Sequence, residues 1–333
     1  HMLTSIRTIY SNWFNFAAIK EDETVVTWGK TFWLNQWIGY TTIKVMTRPF
    51  PPKGVQPQLT SVKAIYSTKF AFAAKKADDS AVTWGHKYGG GDSSKVDLTS
   101  VDTIFGTDRA FAAKKKDKTV VTWGDIHYGG DSSKVRPQLT SVDTIYSTSS
   151  AFAAKTTGGS VVSWGQALTV QGFSPFVQSQ LTWGVETIYS NHNSFAAKKK
   201  GGRVVTWGRD EDGGNSDSVK SQLTSVINIS SVHGAFAALT EERAVVVWGN
   251  PSGDPGTLNS QLTSVDTIYS TTHAAFAAKK KDGSVVSWGW CGMHYNQSDM
   301  ALQFQLQSQL TSIETVYSNF DAFAAKRTDG RVV

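Results

Sequence analysis

Short apolar runs separated by turn residues recur along the whole chain. In one copy the runs span residues 265–270, 275–280 and 284–288, and an Asp-Gly pair separates the last two. Runs of this length bounded by Gly, Asp and Ser are typical of β-strands, and Asp-Gly is typical of a tight hairpin turn. No helical periodicity interrupts the pattern. It therefore predicts three short strands in each copy.

The three runs form one repeat of about forty residues, a period typical of repeat architectures. Each copy contains a Phe-Ala-Ala core, whose phenylalanine occurs at eight positions: Phe16, Phe72, Phe111, Phe152, Phe195, Phe236, Phe276 and Phe323. A Trp-Gly pair follows in all copies but the last: Trp28, Trp84, Trp123, Trp164, Trp207, Trp248 and Trp288. The last copy retains the beginning of the third run, Arg331-Val-Val333.

The composition of the runs predicts sheets that are covered on both sides. Third runs such as Thr-Val-Val-Thr-Trp place apolar residues on both faces, and the alanine pairs let a neighbouring sheet approach closely. A radial β-propeller meets both requirements and leaves only short sheet edges. We predict an all-β propeller of mainly three-stranded blades around a central channel, with eight blades and adjacent chain ends. Seven blades with a surplus repeat, or an open array, are the alternatives.

The domain organisation follows from the repeat. We predict one propeller domain over residues 3–333 with a loop insertion at residues 30–56, and we interpret His1-Met2 as a remnant of cloning. The single cysteine, Cys291, excludes a disulfide or a cysteine-based zinc site within one chain. No apolar run reaches the roughly 18 residues of a membrane span, so we expect no transmembrane segment. We also expect the chain to be a monomer.

The repeat resembles that of the regulator of chromosome condensation superfamily. The shared order is Val-Asp-x-Ile, a short turn, an apolar strand ending in Lys, Asp-Gly, Val-Val-x-Trp-Gly and a Gly-rich loop. In repeat length the chain is most similar to the bacterial β-lactamase inhibitor protein II family, and the resemblance implies three-stranded propeller blades. Those families have seven blades and a Gly-Gln loop, which is replaced here by loops such as residues 129–133, Gly-Gly-Asp-Ser-Ser. The resemblance therefore implies a fold, whereas the activities of its members do not transfer without matching contact residues.

The two ends of the predicted blades differ in chemistry. If the strands run up, down and up, the turn before Phe-Ala-Ala and the loop after Trp-Gly emerge at one end, which we call the loop end. Its sequence varies between copies and is rich in aromatic residues, as in a binding surface built on a uniform scaffold. The candidate partner-binding residues are Trp13, Phe14, Trp33, Trp37, Tyr40, Phe70, Tyr88, Arg109, Tyr128, His192, His233, His273, Trp290 and Tyr295.

These residues predict a non-catalytic scaffold that recognises a partner protein through the loop end. A structural alternative is that the aromatics cap the blades, or that the insertion at 30–56 plugs the channel. A functional alternative is a glycan-binding, lectin-like propeller with repeat-related sites between blades. Stoichiometry separates the two functions, because a protein partner would use the asymmetric surface once and a lectin would bind several small ligands.

The opposite end, which we call the hairpin end, carries lysines at one recurring position. The candidate anion-binding residues are Lys76, Lys115, Lys199 and Lys280. A ring of lysines attracts polyanions through its summed field, and we expect weak, non-specific polyanion binding at most. The net charge is only +6, and acidic residues such as Asp117 and Asp282 interrupt the series. Lysines at hairpin ends also serve solubility and edge protection.

The sequence contains no recognisable catalytic motif. The histidines are scattered, and His192, His233 and His273 occupy equivalent turns that we expect to be too far apart to hold a metal ion. The Gly-Gly-Asp-Ser-Ser loops lack the Lys-Ser/Thr of a phosphate-binding loop and the carboxylate spacing of a calcium loop, so we interpret them as turns. We therefore predict no enzymatic activity, no cofactor and no metal.

Overall fold

The structure is a computed structural model that describes residues 4–29, 31–33, 44–46, 54–166, 173–289 and 309–333. The chain divides into two compact units, His1–Gln166 and Ala167–Val333. We call them the first and the second unit and describe each by itself. No helix in these ranges is long and apolar enough to cross a membrane.

The first unit contains four three-stranded antiparallel sheets, which we call blades, and one short hairpin. Strands β1 to β3, β6 to β8, β9 to β11 and β12 to β14 form the blades in chain order, and β4 pairs with β5 inside the long insertion. The strands are Ile6–Ser11 (β1), Asn15–Lys20 (β2), Val25–Gly29 (β3), Thr31–Trp33 (β4), Lys44–Met46 (β5), Val62–Ser67 (β6), Ala71–Lys76 (β7), Ala81–Gly85 (β8), Val101–Gly106 (β9), Ala110–Lys115 (β10), Val120–Gly124 (β11), Val142–Ser147 (β12), Ala151–Thr156 (β13) and Val161–Gly165 (β14).

The second unit contains four further blades and a short helix, α1. Strands β15 to β17, β18 to β20 and β21 to β23 form three-stranded blades, whereas the last blade pairs β24 with β25 and adds a single bridge between Lys326 and Val332. The elements are Pro175–Gln180 (α1), Val185–Ser190 (β15), Ser194–Lys199 (β16), Val204–Gly208 (β17), Val226–Val232 (β18), Ala235–Thr240 (β19), Val245–Gly249 (β20), Val265–Ser270 (β21), Ala275–Lys280 (β22), Val285–Gly289 (β23), Ile313–Ser318 (β24) and Phe323–Arg327 (β25).

The predicted fold class is confirmed. Eight blades of the β-propeller type follow one another in the described ranges, each with the strand order of the repeat. The exception to three strands is the last blade, where the third run forms only a bridge. A central channel with adjacent chain ends, and a single domain over residues 3–333, stay predictions.

Seven of the eight blades in the described ranges are held by an aromatic pair across the second and third strands. Phe111 lies opposite Trp123 in the strand register, and the two rings stack with their centroids 5.2 Å apart. The same stack recurs in six other blades at 5.2–5.3 Å: Phe16–Trp28, Phe72–Trp84, Phe152–Trp164, Phe195–Trp207, Phe236–Trp248 and Phe276–Trp288. Directly opposed aromatic residues stabilise antiparallel strands, which explains why this pair is constant in the repeat.

Successive blades within a unit pack through the alanines. Ala110 and Ala112 of one blade contact Phe152 and Trp164 of the next, and all four are buried. The methyl side chains let the two sheets approach closely enough to enclose the Phe–Trp stack. Five framework tryptophans lie in buried clusters shared by successive blades and so pack between blades, as predicted: Trp84, Trp123, Trp164, Trp248 and Trp288. In the first blade Trp28 is only partly buried, and 43% of the surface of Phe16 remains exposed.

Hydrogen bonds join successive blades at both edges of this core. The indole Nε1 of a framework tryptophan donates to a glycine carbonyl in the preceding blade: Trp123 to Gly90, Trp164 to Gly129, Trp248 to Gly213 and Trp288 to Gly253, at 2.9–3.1 Å. At the hairpin end, the first residue of a blade donates its N–H to a carbonyl of the preceding hairpin, as Val142 does to Lys118 at 2.9 Å. The packing between blades is thus fixed in register as well as in distance.

A matched pair of glycine substitutions tests this packing within the second unit. Gly213 and Gly201 both have a left-handed φ, +93° and +79°, so alanine at either position costs about 1 kcal/mol of conformational strain. A Cβ on Gly213 would lie 2.8 Å from Cδ2 of Phe236, whereas a Cβ on Gly201 meets nothing within 4 Å. We expect Gly213→Ala to lower the free energy of unfolding by about 1–3 kcal/mol more than Gly201→Ala. Urea denaturation measures both; equal losses would contradict the close contact between blades.

Candidate functional site

The turns at the loop end are fixed by side-chain oxygens. Oγ1 of Thr107 accepts hydrogen bonds from the backbone N–H groups of Arg109 (3.4 Å) and Ala110 (3.0 Å), and donates one to the carbonyl of Tyr128 (2.9 Å). Thr68, Thr148, Asn12, Asn191 and Asn319 cap their own turns in the same way. Because Thr107 also binds the loop after Trp-Gly, the two variable segments lie at one end of the blade, as predicted.

The turn residue that follows this cap links successive blades. Its backbone N–H donates to the carbonyl at the equivalent position of the next blade, forming a ladder within each unit. The bonds of the first unit are Lys69 to Asp108 (3.0 Å) and Asp108 to Ser149 (2.9 Å). Those of the second unit are His192 to His233 (3.1 Å), His233 to His273 (2.8 Å) and His273 to Phe320 (3.1 Å). Side chains at this position therefore lie next to one another in successive blades.

The ladder brings the three turn histidines of the second unit together. The rings of His192 and His233 stack at 4.1 Å between centroids, and His233 meets His273 edge to face at 6.0 Å. His273 stacks on Phe320 at 5.3 Å, and its Nδ1 lies 3.1 Å from Oδ1 of Asp321. These rings lie closer together than we expected for equivalent turns, because the backbone bonds set their spacing. Even so, no group of three or more His, Cys, Asp or Glu side chains in the described ranges is placed to hold a metal ion.

In the first unit the loop end carries a cluster that we call the aromatic patch, formed by Trp13, Phe14, Phe70, Tyr88, Arg109 and Tyr128. Phe14 stacks on Phe70 at 5.9 Å, and Trp13 meets both rings edge to face, at 6.2 Å from Phe14 and 6.0 Å from Phe70. The ring centroid of His86 lies 6.4 Å from that of Phe70 and 5.8 Å from that of Tyr88. Six residues predicted separately from three blades thus form one surface, together with His86. Trp13 and Tyr88 remain 64% and 67% exposed at its rim.

Two cations lie on this patch in different environments. Nζ of Lys69 lies 4.2 Å from the ring centre of Trp13 and 2.5 Å from a carboxylate oxygen of Asp108. The guanidinium carbon of Arg109 lies 5.4 Å from the ring centre of Phe70 and 4.9 Å from that of Tyr128. Cation–π contacts of this kind hold a guanidinium in a defined place. Lys69 is neutralised by its neighbour, whereas the part of the chain described here provides no ion pair for Arg109.

Several predicted residues cannot be placed on the patch. Trp37, Tyr40, Trp290 and Tyr295 lie outside the described residues. The backbone of Trp33 lies in β4, in the hairpin with β5. Their roles at the loop end stay predictions.

The candidate residues from the sequence do not include the exposed aromatic side chains of Phe176 and Trp183 in the second unit. Phe176 on α1 is 66% exposed and Trp183 is 67% exposed, each with a lysine near its ring: Lys220 at 5.7 Å and Lys199 at 5.0 Å. Both lie in the segment that leads into β15. The available signal was the interruption of the repeat, because Leu-Thr-Trp-Gly stands here where other copies have Leu-Thr-Ser.

The hairpin end is rich in ion pairs. The lysine after Phe-Ala-Ala pairs across strands with the acidic residue of the Val-Asp-x-Ile run in four blades at 2.8–3.0 Å: Lys114–Asp102, Lys155–Asp143, Lys198–Glu186 and Lys326–Glu314. Exposed pairs of this kind contribute about 1 kcal/mol or less each to stability. Their effect here is to reduce the positive field that the sequence suggests.

The four candidate anion-binding lysines have varied surroundings. Lys115 lies 2.6 Å from a carboxylate oxygen of Asp97, and Lys76 lies 3.6 Å from one of Asp78. Nζ of Lys199 donates to the carbonyl of Gln180, and burial, followed by the charge of Arg203, lowers the pKa of Lys199. Lys280 lines a recess of about 580 Å³ together with Lys279, Lys281, Asp266 and Asp282. Anion binding by these residues stays a prediction.

Comparison with known proteins finds solved structures to which the chain is similar. No protein-family model matches the chain, and no curated protein matches it. It is similar to yeast RCC1 (Prp20) in its complex with Kap60, at 16% identity over 85% of this chain and 70% of that chain, with a TM-score of 0.41. It is also similar to the ectodomain of the Physcomitrella patens receptor kinase CR4 (12% identity, 81% and 70% covered, TM-score 0.40) and to the computationally designed protein Ika8 (11% identity, 99% and 96% covered, TM-score 0.37). Yeast RCC1 (Prp20) is thus among the structures to which the chain is similar, while the resemblance to β-lactamase inhibitor protein II stays a prediction.

The titration of His86 tests the electrostatics of the patch. Burial, followed by the charge of Arg109, lowers the pKa of His86 below its ordinary value of 6.5. The folded state therefore disfavours the protonated ring, and this group costs stability as pH falls below about 6.5, the unfolded value. We expect Arg109→Gln to raise the pKa of His86 while leaving it below 6.5, because burial is the larger cause. NMR titration of the imidazole measures both values; an unchanged pKa in the variant would contradict the proximity of Arg109.

Proposed function

We propose that this chain is a non-catalytic binding scaffold that recognises a partner protein through the loop end of its blades, with the aromatic patch as the principal contact. The observation that carries the proposal is a contiguous group of aromatic side chains with Trp13 and Tyr88 about two-thirds exposed. Exposed apolar patches of this kind mark interaction sites, and Trp, Tyr and Arg dominate the energetics of protein interfaces.

Hydrogen bonds hold in place the turns that carry the residues of the patch. The hydroxyl of Thr107 and the backbone ladder through Asp108 fix the turn that carries Arg109, and Thr68 fixes the turn of Phe70 in the same way. Side chains on an ordered turn lose less conformational freedom on binding than side chains on a flexible loop. A preorganised surface therefore suits tight and specific recognition.

The asymmetry of the loop end favours a protein over a glycan. The position of Trp13 is occupied by Lys69, Asp108 and Ser149 in the following blades, so the patch does not repeat. The glycan-binding alternative needs similar pockets in successive blades, with several ligands bound per chain. Titration of the chain on a glycan array, followed by calorimetric stoichiometry for any glycan bound, distinguishes the two functions.

Other residues of the loop end extend this proposal. The histidine column His192, His233 and His273 presents a second surface of the same type in its own unit. We assign Trp33, Trp37, Tyr40, Trp290 and Tyr295 to further contacts of the same kind. Their places in the insertion at 30–56 and in the loop after Trp288 make them part of the variable sequence.

Two tryptophans with nearly equal exposure test the proposal against the capping alternative. Trp13 is 64% exposed inside the patch, and Trp183 is 67% exposed outside it. With the intact chain as bait, a partner captured from the source environment is identified and its dissociation constant is measured for Trp13→Ala and Trp183→Ala. We expect Trp13→Ala to weaken binding by about 2 kcal/mol, roughly thirtyfold, and Trp183→Ala to leave it unchanged.

Stability provides the control. Because both side chains are mostly exposed, the melting temperature of each variant should stay close to that of the wild type. A fall of several degrees for Trp13→Ala, with unchanged affinity, would show that Trp13 caps the blade and would refute its role in binding.

A further inference from the structure

We infer that the partner places a carboxylate on Arg109, so that the aromatic patch recognises an acidic side chain flanked by large apolar residues. This inference rests on the proposed function and defines the chemistry of the partner. It follows from the contrast between the two cations of the patch.

Arg109 is partly buried and already fixed by ring contacts. Its guanidinium carbon lies 4.9 Å from the centre of Tyr128 and 5.4 Å from that of Phe70. Within the described residues its side chain makes no ion pair, whereas the neighbouring Lys69 is paired with Asp108. The guanidinium donors of Arg109 therefore rely on water as long as the patch is uncovered.

A partner that covers Trp13, Phe70 and Tyr128 must also remove water from Arg109. An unpaired cation that loses its hydration in an apolar contact carries a large penalty, and a hydrogen-bonded carboxylate offsets it. The planar fork of arginine matches both oxygens of a carboxylate, a geometry that the ammonium group of lysine cannot reproduce. Productive docking on the patch thus requires an acidic group at this one point.

The surroundings select a single carboxylate rather than a polyanion. Asp108, which is adjacent to Arg109 in the chain, already pairs with Lys69, so among the described residues of the patch Arg109 is the cation left to pair with a ligand. The aromatic rings that contact Arg109 offer apolar contact to the groups on either side of such a ligand. An aspartate or glutamate between apolar side chains of a protein meets both conditions.

The test uses a displayed library of random cyclic peptides as the probe. Peptides are selected on the intact chain and then depleted on the Trp13→Ala/Phe70→Ala variant, so that only peptides that depend on the patch remain. For the tightest of these, a matched peptide is made in which the acidic residue is replaced by its amide. Both peptides are titrated against the wild type, Arg109→Gln, Arg109→Lys and the control Arg136→Gln, an exposed arginine outside the patch.

We expect the retained peptides to carry an Asp or Glu next to large apolar residues. Arg109→Gln should weaken the acidic peptide by roughly thirtyfold or more, and Arg109→Lys should recover only part of that loss. The amide peptide should bind the wild type and Arg109→Gln nearly equally, and Arg136→Gln should change neither peptide. This non-additivity in the double-mutant cycle would assign the carboxylate to Arg109.

Two other results would overturn the inference. If the retained peptides lack acidic residues, or if Arg109→Gln binds them as tightly as the wild type, the carboxylate is refuted while the patch remains a protein-binding surface. If no peptide survives the depletion step and an oligoglucuronate binds in an Arg109-dependent way instead, the proposed function itself fails. The two failures are therefore distinguishable.

Discussion

The packing of alanines against the Phe–Trp stack of the next blade is the interaction on which the structure depends. A single three-stranded sheet of this composition is apolar on both sides and cannot bury either side by itself. Enclosing one phenylalanine such as Phe152 contributes about 1.5–3 kcal/mol, and this contribution recurs in every fully covered blade. A larger residue in place of Ala110 or Ala112 would hold the sheets apart and uncover the stack. The constancy of Phe-Ala-Ala and Trp-Gly is the result.

Because the alanines and the Phe–Trp stack hold the blades together, the side chains of the loop end are free to vary. The turns are fixed by a hydroxyl or amide oxygen, as in Thr107 or Asn191, and by backbone bonds between blades. Neither requires a particular side chain at the next two positions, which hold Lys69 and Phe70 in one blade and His192 and Asn193 in another. Recognition chemistry can therefore change there at little cost to folding. Glycine positions such as Gly213 do not share this freedom, because their carbonyls and missing Cβ atoms form part of the contact between blades.

The sequence predicted the framework far better than the contacts of the site. Strand positions, the Phe–Trp partners and the common end of the two variable segments follow from spacing, because each depends on residues within one repeat. The adjacency of His192 and His233 and the contact of Arg109 with Phe70 depend on residues about 40 positions apart in the chain, at a distance set by the ladder between blades. Helix α1 and the exposed Trp183 were missed because they occur where the repeat is interrupted. The interruption marks the place but does not specify its structure.

Charge pairing decides which surface can recognise a charged partner. The hairpin end carries many lysines, but pairs such as Lys114–Asp102 and Lys115–Asp97 reduce their positive field, and salt screens these exposed pairs further. At the loop end Arg109 contacts the rings of Phe70 and Tyr128, where a closing partner would exclude water and strengthen any ion pair. A single cation in a dehydrating contact discriminates between partners more sharply than a row of solvated lysines. For this reason the net charge of +6 says little about binding, whereas the local surroundings of Arg109 support the proposed carboxylate contact.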